Sequence, residues 1–230
     1  MKRFYKDAAV EKGEDGFRVL LDGKPVRTPG GAMLALPSAA LAENIAAEWR
    51  GQGDEVVPTA MPMLRLANTV QDGVATNRDA VIDAILRFGE HELLCYRAED
   101  PVLAARQASL WTPMLDWVSD TLGVTLKIGT GVMHVEQAPD TLAKLRAAIA
   151  AHDAYALAAL HVIASITGSL ILGLAVTDRR IEASEGFRLS RLDEDYQAEK
   201  WGQDADAEAR ALGLGREVET AAAFLAASRD

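Results

Sequence analysis

The chain is short of the residues on which most chemistry depends. It has one cysteine, Cys95, and four histidines in 230 residues. One cysteine makes no internal disulfide, which fits a reducing compartment. His91 and Cys95 are four apart and would share a helix face, with His134, His152 or His161 as conceivable further ligands. There is no His-Glu-x-x-His and no paired-cysteine motif, so the expectation is a core thiol beside a surface histidine, with no metal.

Phosphate loops are missing too. Gly129-Thr130-Gly131 lacks the following glycine, and Thr28-Pro29-Gly30-Gly31 lacks the Lys-Ser/Thr of a P-loop, so no nucleotide cofactor is expected. No Gly-x-Ser-x-Gly elbow surrounds Ser165 or Ser169, whose small size suits close helix packing. Positive charge is scarce: 24 Lys and Arg stand against 34 Asp and Glu, a net charge of -10. That argues against nucleic acid as a main partner, because phosphate binding needs clustered Lys and Arg. The longest apolar run, Val162 to Val176, is interrupted by Ser165, Thr167, Gly168 and Ser169. It falls short of the roughly 20 residues of a bilayer span and reads as a buried helix. Met1 to Asp7 lacks the apolar core of a signal peptide and turns acidic too early for a transit peptide. The expectation is a cytoplasmic protein without membrane insertion.

What is present is apolar residue, 49% of the chain, enough for a sizeable core. The first third reads as strands with one helix. Phe17 to Leu21 and Lys24 to Arg27 flank Asp22-Gly23, a hairpin signature because that pair accepts positive φ. Met33 to Leu36 reads as a further short strand. Ser38 is positioned to cap a helix over 39–50 with the stripe Leu41, Ile45, Ala46 and Trp49. After Pro58 the pattern becomes helical, over 63–73, 78–88, about 101–122, 139–151, 155–176, 182–201 and 208–227. Asp100-Pro101 is a cap followed by a first-turn proline. The reading is an α+β protein: an N-terminal α+β domain over 1–60 and a mainly helical domain over 61–230.

One stretch stands out. Ser190 to Gly202 carries Asp193, Glu194, Asp195 and Glu199 with Tyr196, Gln197, Lys200 and Trp201. On a helix Asp193, Gln197 and Trp201 recur every four residues, with Tyr196 and Lys200 beside them. The candidate partner-binding set is Asp193, Glu194, Tyr196, Gln197 and Trp201. A solvated charged face and a protein-binding face both fit it. A hydrolase using paired carboxylates of this helix is the enzymatic alternative. Trp49 and Trp117 fit apolar stripes and are expected to be structural.

Several motifs, in order, resemble one family. They are Leu-Asp-Gly-Lys-Pro-Val-Arg-Thr-Pro at 21–29, Leu-Pro-Ser-Ala-Ala-Leu-Ala at 36–42, and Glu48-Trp49 with Gln52 nearby. Met-Pro-Met-Leu-Arg-Leu-Ala-Asn-Thr at 61–69, Glu-Leu-Leu-Cys-Tyr-Arg-Ala at 92–98 and Gly-Ser-Leu-Ile-Leu-Gly-Leu-Ala at 168–175 follow. The 190–202 stretch completes the set. Together they resemble the alpha-subunit assembly chaperones of the F-type ATP synthase catalytic head, in a bacterial member. The resemblance implies an N-terminal α+β domain followed by an orthogonal helical bundle, no catalysis and no cofactor. It implies a chaperone that binds the free alpha subunit over the surface the beta subunit later covers; the free chain is expected to be a monomer. It also implies a functional acid within Arg191-Leu192-Asp193-Glu194, with either Asp193 or Glu194 in that role. On this reading Asp193→Lys weakens partner binding and leaves helical content unchanged.

Overall fold

The computed structural model describes residues 1–230 as an α+β chain that is mostly helical. The chain folds into two units. The first holds Met1–Arg78, Ala154–Ala159 and Thr220–Asp230. The second holds Asp79–Asp153 and Leu160–Glu219. No helix is long and apolar enough to cross a membrane.

In the first unit, β1 (Ala8–Gly13) pairs antiparallel with β2 (Gly16–Leu21), which pairs with β3 (Lys24–Pro25). The Asp22-Gly23 hairpin forms as the sequence indicates, with φ of 48° at Asp22 and 77° at Gly23. β1 was not legible: its Ala-Ala-Val-Glu-Lys-Gly buries little beyond Ala8, so it carries no clean alternation. Met33 and Leu36 make isolated bridges, to Arg27 and Phe17, and not a full strand.

Helix α1 (Ala39–Arg50) lies against β1 and β2 with Leu41, Ala42, Ile45, Ala46 and Trp49 buried. Its cap is Ser38, whose hydroxyl accepts from the Leu41 N–H at 3.0 Å. The Trp49 ring sits 5.3 Å from that of Tyr5, edge-on, and the Tyr5 hydroxyl donates to the Trp49 carbonyl at 2.6 Å. Glu48 has a separate task. Its carboxylate accepts from the N–H groups of Met63 (2.7 Å) and Leu64 (2.9 Å) at the start of α2 (Pro62–Thr69), where Met61 supplies no side-chain cap. Burial pushes this carboxyl up against the two N–H bonds that hold it down. A π-helical turn, Val70–Val74, follows α2.

The second unit begins with α3, whose full span is Arg78–Glu90, followed by a 3-10 turn at Leu93–Cys95. Next comes β4 (Tyr96–Arg97), and then α4 (Pro101–Leu122). Asp100 caps α4 as expected, accepting from Val102 and Leu103 N–H. Gly123, at φ 62°, ends it. β5 (Gly129–Thr130) pairs in parallel with β4, and α5 (Pro139–Ala150) follows.

Two expected long helices are each broken. The 155–176 span is α6 (Ala154–Thr167) and α7 (Leu170–Thr177), separated at Gly168, φ 66°. Ser169 is not a mid-helix residue bonded back to the turn before it; its hydroxyl accepts from Leu172 N–H and caps α7. The 182–201 span is α8 (Ala183–Ser190) and α9 (Leu192–Trp201), with Arg191 at φ -97°, ψ 10° between them. The break lets Leu189 and Ser190 of α8 and Leu192 and Tyr196 of α9 all be buried. The last helix is α10 (Ala205–Ser228).

Glu92 lies beneath the first break and is 1% exposed. Its carboxylate accepts from the Ser169 hydroxyl, from the Ile171 N–H at 3.1 Å and from the Leu94 N–H at 3.2 Å. The Leu170 N–H adds a further donor. Desolvation nevertheless pushes the carboxyl up to about 7 against these donors. Cys95 is fully buried beside it, as expected of a core thiol, and its thiol is pushed up to about 12, first by burial and then by Glu92.

Candidate partner-binding site

Helix α9 is fastened to α4 by polar contacts at nearly every turn. Asp193 accepts from the Gln107 amide at 2.7 Å. The Tyr196 hydroxyl donates to Asp100 at 3.0 Å, and Lys200 pairs with the same carboxylate at 2.6 Å. Arg106 pairs with Glu199 at 2.7 Å and lies over the Tyr196 ring, 5.1 Å from its centre. Lys200 covers the same ring at 4.5 Å. Asp195 stays on its own helix, 3.6 Å from Arg191 four residues before it. Lys200, and after it Tyr196, holds the Asp100 carboxyl well below the usual carboxylate range.

These contacts turn Asp193 and Tyr196 inward and leave Gln197 and Trp201 outward. Tyr196 is 6% exposed, so its ring belongs to the packing between α9 and α4. Asp193 is half-buried and engaged. Glu194 and Gln197 are exposed, and Trp201 is 78% exposed. Positions 194, 197 and 201 follow the i, i+3, i+7 spacing of a single stripe. The outward residues of the candidate set are therefore Glu194, Gln197 and Trp201. Beside α9, an open groove on α4 is lined by Pro101, Val102, Ala105, Arg106, Ser109 and Leu110.

Gln107 is the hub of this arrangement and is fully buried. Its amide oxygen accepts from Ala98 N–H at 2.8 Å while its amide nitrogen donates to Asp193. Its carbonyl accepts from the Arg97 guanidinium at 3.2 Å. The signal in the sequence was a glutamine within the apolar stripe Leu103, Gln107, Trp111, Val118. Trp111 is the fully buried tryptophan of α4, its indole N–H donating to the Leu189 carbonyl at 2.8 Å; Trp117 is half-buried. Asp100, seen in the sequence only as a cap, also anchors Tyr196 and Lys200.

Asp193→Lys thus has a different expected outcome from the one the sequence suggests. It strips Gln107 of its acceptor and brings a second cation toward Arg97, whose charge Asp193 partly balances. A stability loss of about 1 to 3 kcal/mol is expected, read as a lower urea midpoint. An unchanged midpoint would show that the Gln107 bond contributes nothing.

The acids of α9 do not form a facing pair in a cleft: Asp193, Asp195 and Glu199 are occupied by Gln107, Arg191 and Arg106. Elsewhere His91 and His134 lie with ring centres 4.9 Å apart, and no group of three or more His, Cys, Asp or Glu is arranged to hold a metal ion.

The comparisons with known proteins bear on the whole chain. The family model described as ATP12 chaperone protein matches residues 2–119. The crystal structure of Atp12 from Paracoccus denitrificans is 43% identical and superposes with a TM-score of 0.93, covering 99% of this chain and 98% of that one. The chain belongs to the ATP12 chaperone family. The crystal structure of the Atu1473 protein from Agrobacterium tumefaciens is also 43% identical, with a TM-score of 0.91, covering 100% of this chain and 86% of that one. The mitochondrial protein atp12 of Schizosaccharomyces pombe is 24% identical over 219 residues, 90% of this chain and 75% of that protein. ATP12 proteins are assembly chaperones of the ATP synthase, and nothing in the comparisons favours a hydrolase.

Proposed function

We propose that this ATP12 protein binds the free alpha subunit of the F-type ATP synthase catalytic head and shields the surface that the beta subunit later covers. An unpaired subunit of an obligate complex exposes a large apolar face, which invites aggregation. A chaperone that must later leave needs a moderate contact with polar content. The observation that carries the reading is the outward stripe of α9: a tryptophan held in water beside Glu194 and Gln197, on a helix clamped to α4. Aromatic anchors with polar neighbours are the usual energetic centre of protein interfaces. The division of labour is that Asp193 and Tyr196 set the helix while Glu194, Gln197 and Trp201 meet the partner. Trp49 and Trp117 serve folding. The protein performs no catalysis, works in the cytoplasm and is monomeric when free.

Co-expression tests the reading. The alpha subunit is expected in the soluble fraction with this chain present and in the pellet without it. Equal solubility in both cases would refute it.

A further inference from the structure

A second exposed apolar feature lies in the same unit and is not part of α9. In the segment between α4 and α5, Val132 is 95% exposed, Met133 79% and Ile128 50%. Val132 and Met133 are adjacent, and two largely exposed apolar side chains at one tip offer apolar area that a partner's contact would remove from water.

The base of this segment is not loose. Gln137, 5% exposed, bonds Lys127 twice, accepting from its N–H at 2.9 Å and donating to its carbonyl at 3.0 Å. β5 pairs with β4, and the Gly131 N–H donates to the Arg97 carbonyl at 2.8 Å. Gly131 takes φ 80°, which turns the chain outward just before Val132. Val135 packs against Gly129, where an added Cβ would lie 2.5 Å from its methyl. The tip is therefore presented on a closed, braced base, and little ordering remains to oppose binding.

The same bracing leads to α9. Gly131 is bonded to Arg97, the Arg97 guanidinium to the Gln107 carbonyl, and the Gln107 amide to Asp193. The apolar tip and the stripe Glu194, Gln197, Trp201 are thus mounted on one frame. We infer that Val132 and Met133 form a second contact for the same partner, inserting into the apolar face of the free alpha subunit while α9 supplies the polar and aromatic contact. This rests on the function proposed above. Methionine suits the task because its flexible, polarizable side chain adapts to an irregular apolar surface. An anionic lipid surface fits poorly, since the chain carries a net charge of -10.

The test uses the full chain with Val132→Asp and Met133→Asp together, and a control with Val132→Leu and Met133→Leu. Both side chains project into solvent, so the urea midpoint is expected to be unchanged in each. Capture of purified alpha subunit should weaken about tenfold in the aspartate pair, because a charge would enter an apolar contact, and stay within about twofold in the leucine pair. Wild-type capture with undiminished binding by the aspartate pair overturns this inference and leaves the proposed function standing. No capture by the wild-type chain overturns both. A wild-type dimer in sedimentation that the aspartate pair converts to monomer would assign the tip to self-association and overturn the inference.

Discussion

Glu92→Ala is expected to destabilise the second unit by about 3 to 5 kcal/mol, the cost of removing one half of a buried, fully bonded polar cluster. Three of the donors aimed at this carboxylate are backbone N–H groups, of Leu94, Leu170 and Ile171. No substitution removes them, so no apolar replacement can be neutral at this site. The Ser169 hydroxyl, which also caps α7, loses its acceptor as well. Urea unfolding reads the loss directly, and a change below about 1 kcal/mol would contradict the account.

The same residue sets a pH dependence. Its carboxyl titrates near 4.5 in an unfolded chain and is pushed up to about 7 in the folded one. Below about pH 4.5 both states hold the proton, and the folded state has its full advantage. Between 4.5 and 7 only the folded state holds it, so stability falls as pH rises. Above 7 both are ionised, and the loss is complete at about 3 kcal/mol. Glu92→Gln, neutral throughout, should flatten the stability difference between about pH 4.5 and 7.5. Parallel stability profiles for the two proteins would contradict it.

The second large effect concerns binding. Trp201→Ala is expected to weaken capture of the alpha subunit about 30-fold, the scale of an interfacial tryptophan anchor. Folding should be indifferent, because the side chain is 78% exposed at the last residue of α9. Glu194→Lys is the matching charge test: it is exposed and has no role in clamping α9, so its effect on binding should likewise leave the urea midpoint in place. Asp193→Lys mixes both effects, which makes it the poorer probe.

The fold was legible where local chemistry is explicit. Ser38, the Asp22-Gly23 turn and Asp100-Pro101 each announce a helix start or hairpin, and each appears where expected. The broken helices were harder. Gly168-Ser169 lies in an apolar run whose composition argues for continuity; beside the local Gly168 turn and Ser169 cap, Glu92, 77 residues away from Ser169, favours the break by meeting the start of α7. At the candidate site, helical periodicity placed Asp193, Tyr196, Gln197 and Trp201 together on one helix but not the inward turn of Asp193 and Tyr196. That turn is decided by α4: Gln107 holds Asp193 and Asp100 holds Tyr196, both long-range contacts that spacing along α9 cannot reveal. The exposed tip at Val132 and Met133 was hidden for another reason. The segment over 124–135 has no periodicity that assigns its apolar residues to core or solvent, and the Gly131 turn, the Gln137 staple and the exposure of Val132 and Met133 show that they point outward.

The central claim is best tested by capture followed by displacement. Purified full-length chain is immobilised, loaded with free alpha subunit and washed, and the beta subunit is then added. The account predicts that alpha is retained after washing and released as beta binds it. Alpha that fails to stay on the folded wild-type chain, or that stays bound while beta joins it, would contradict a chaperone that covers the beta-facing surface.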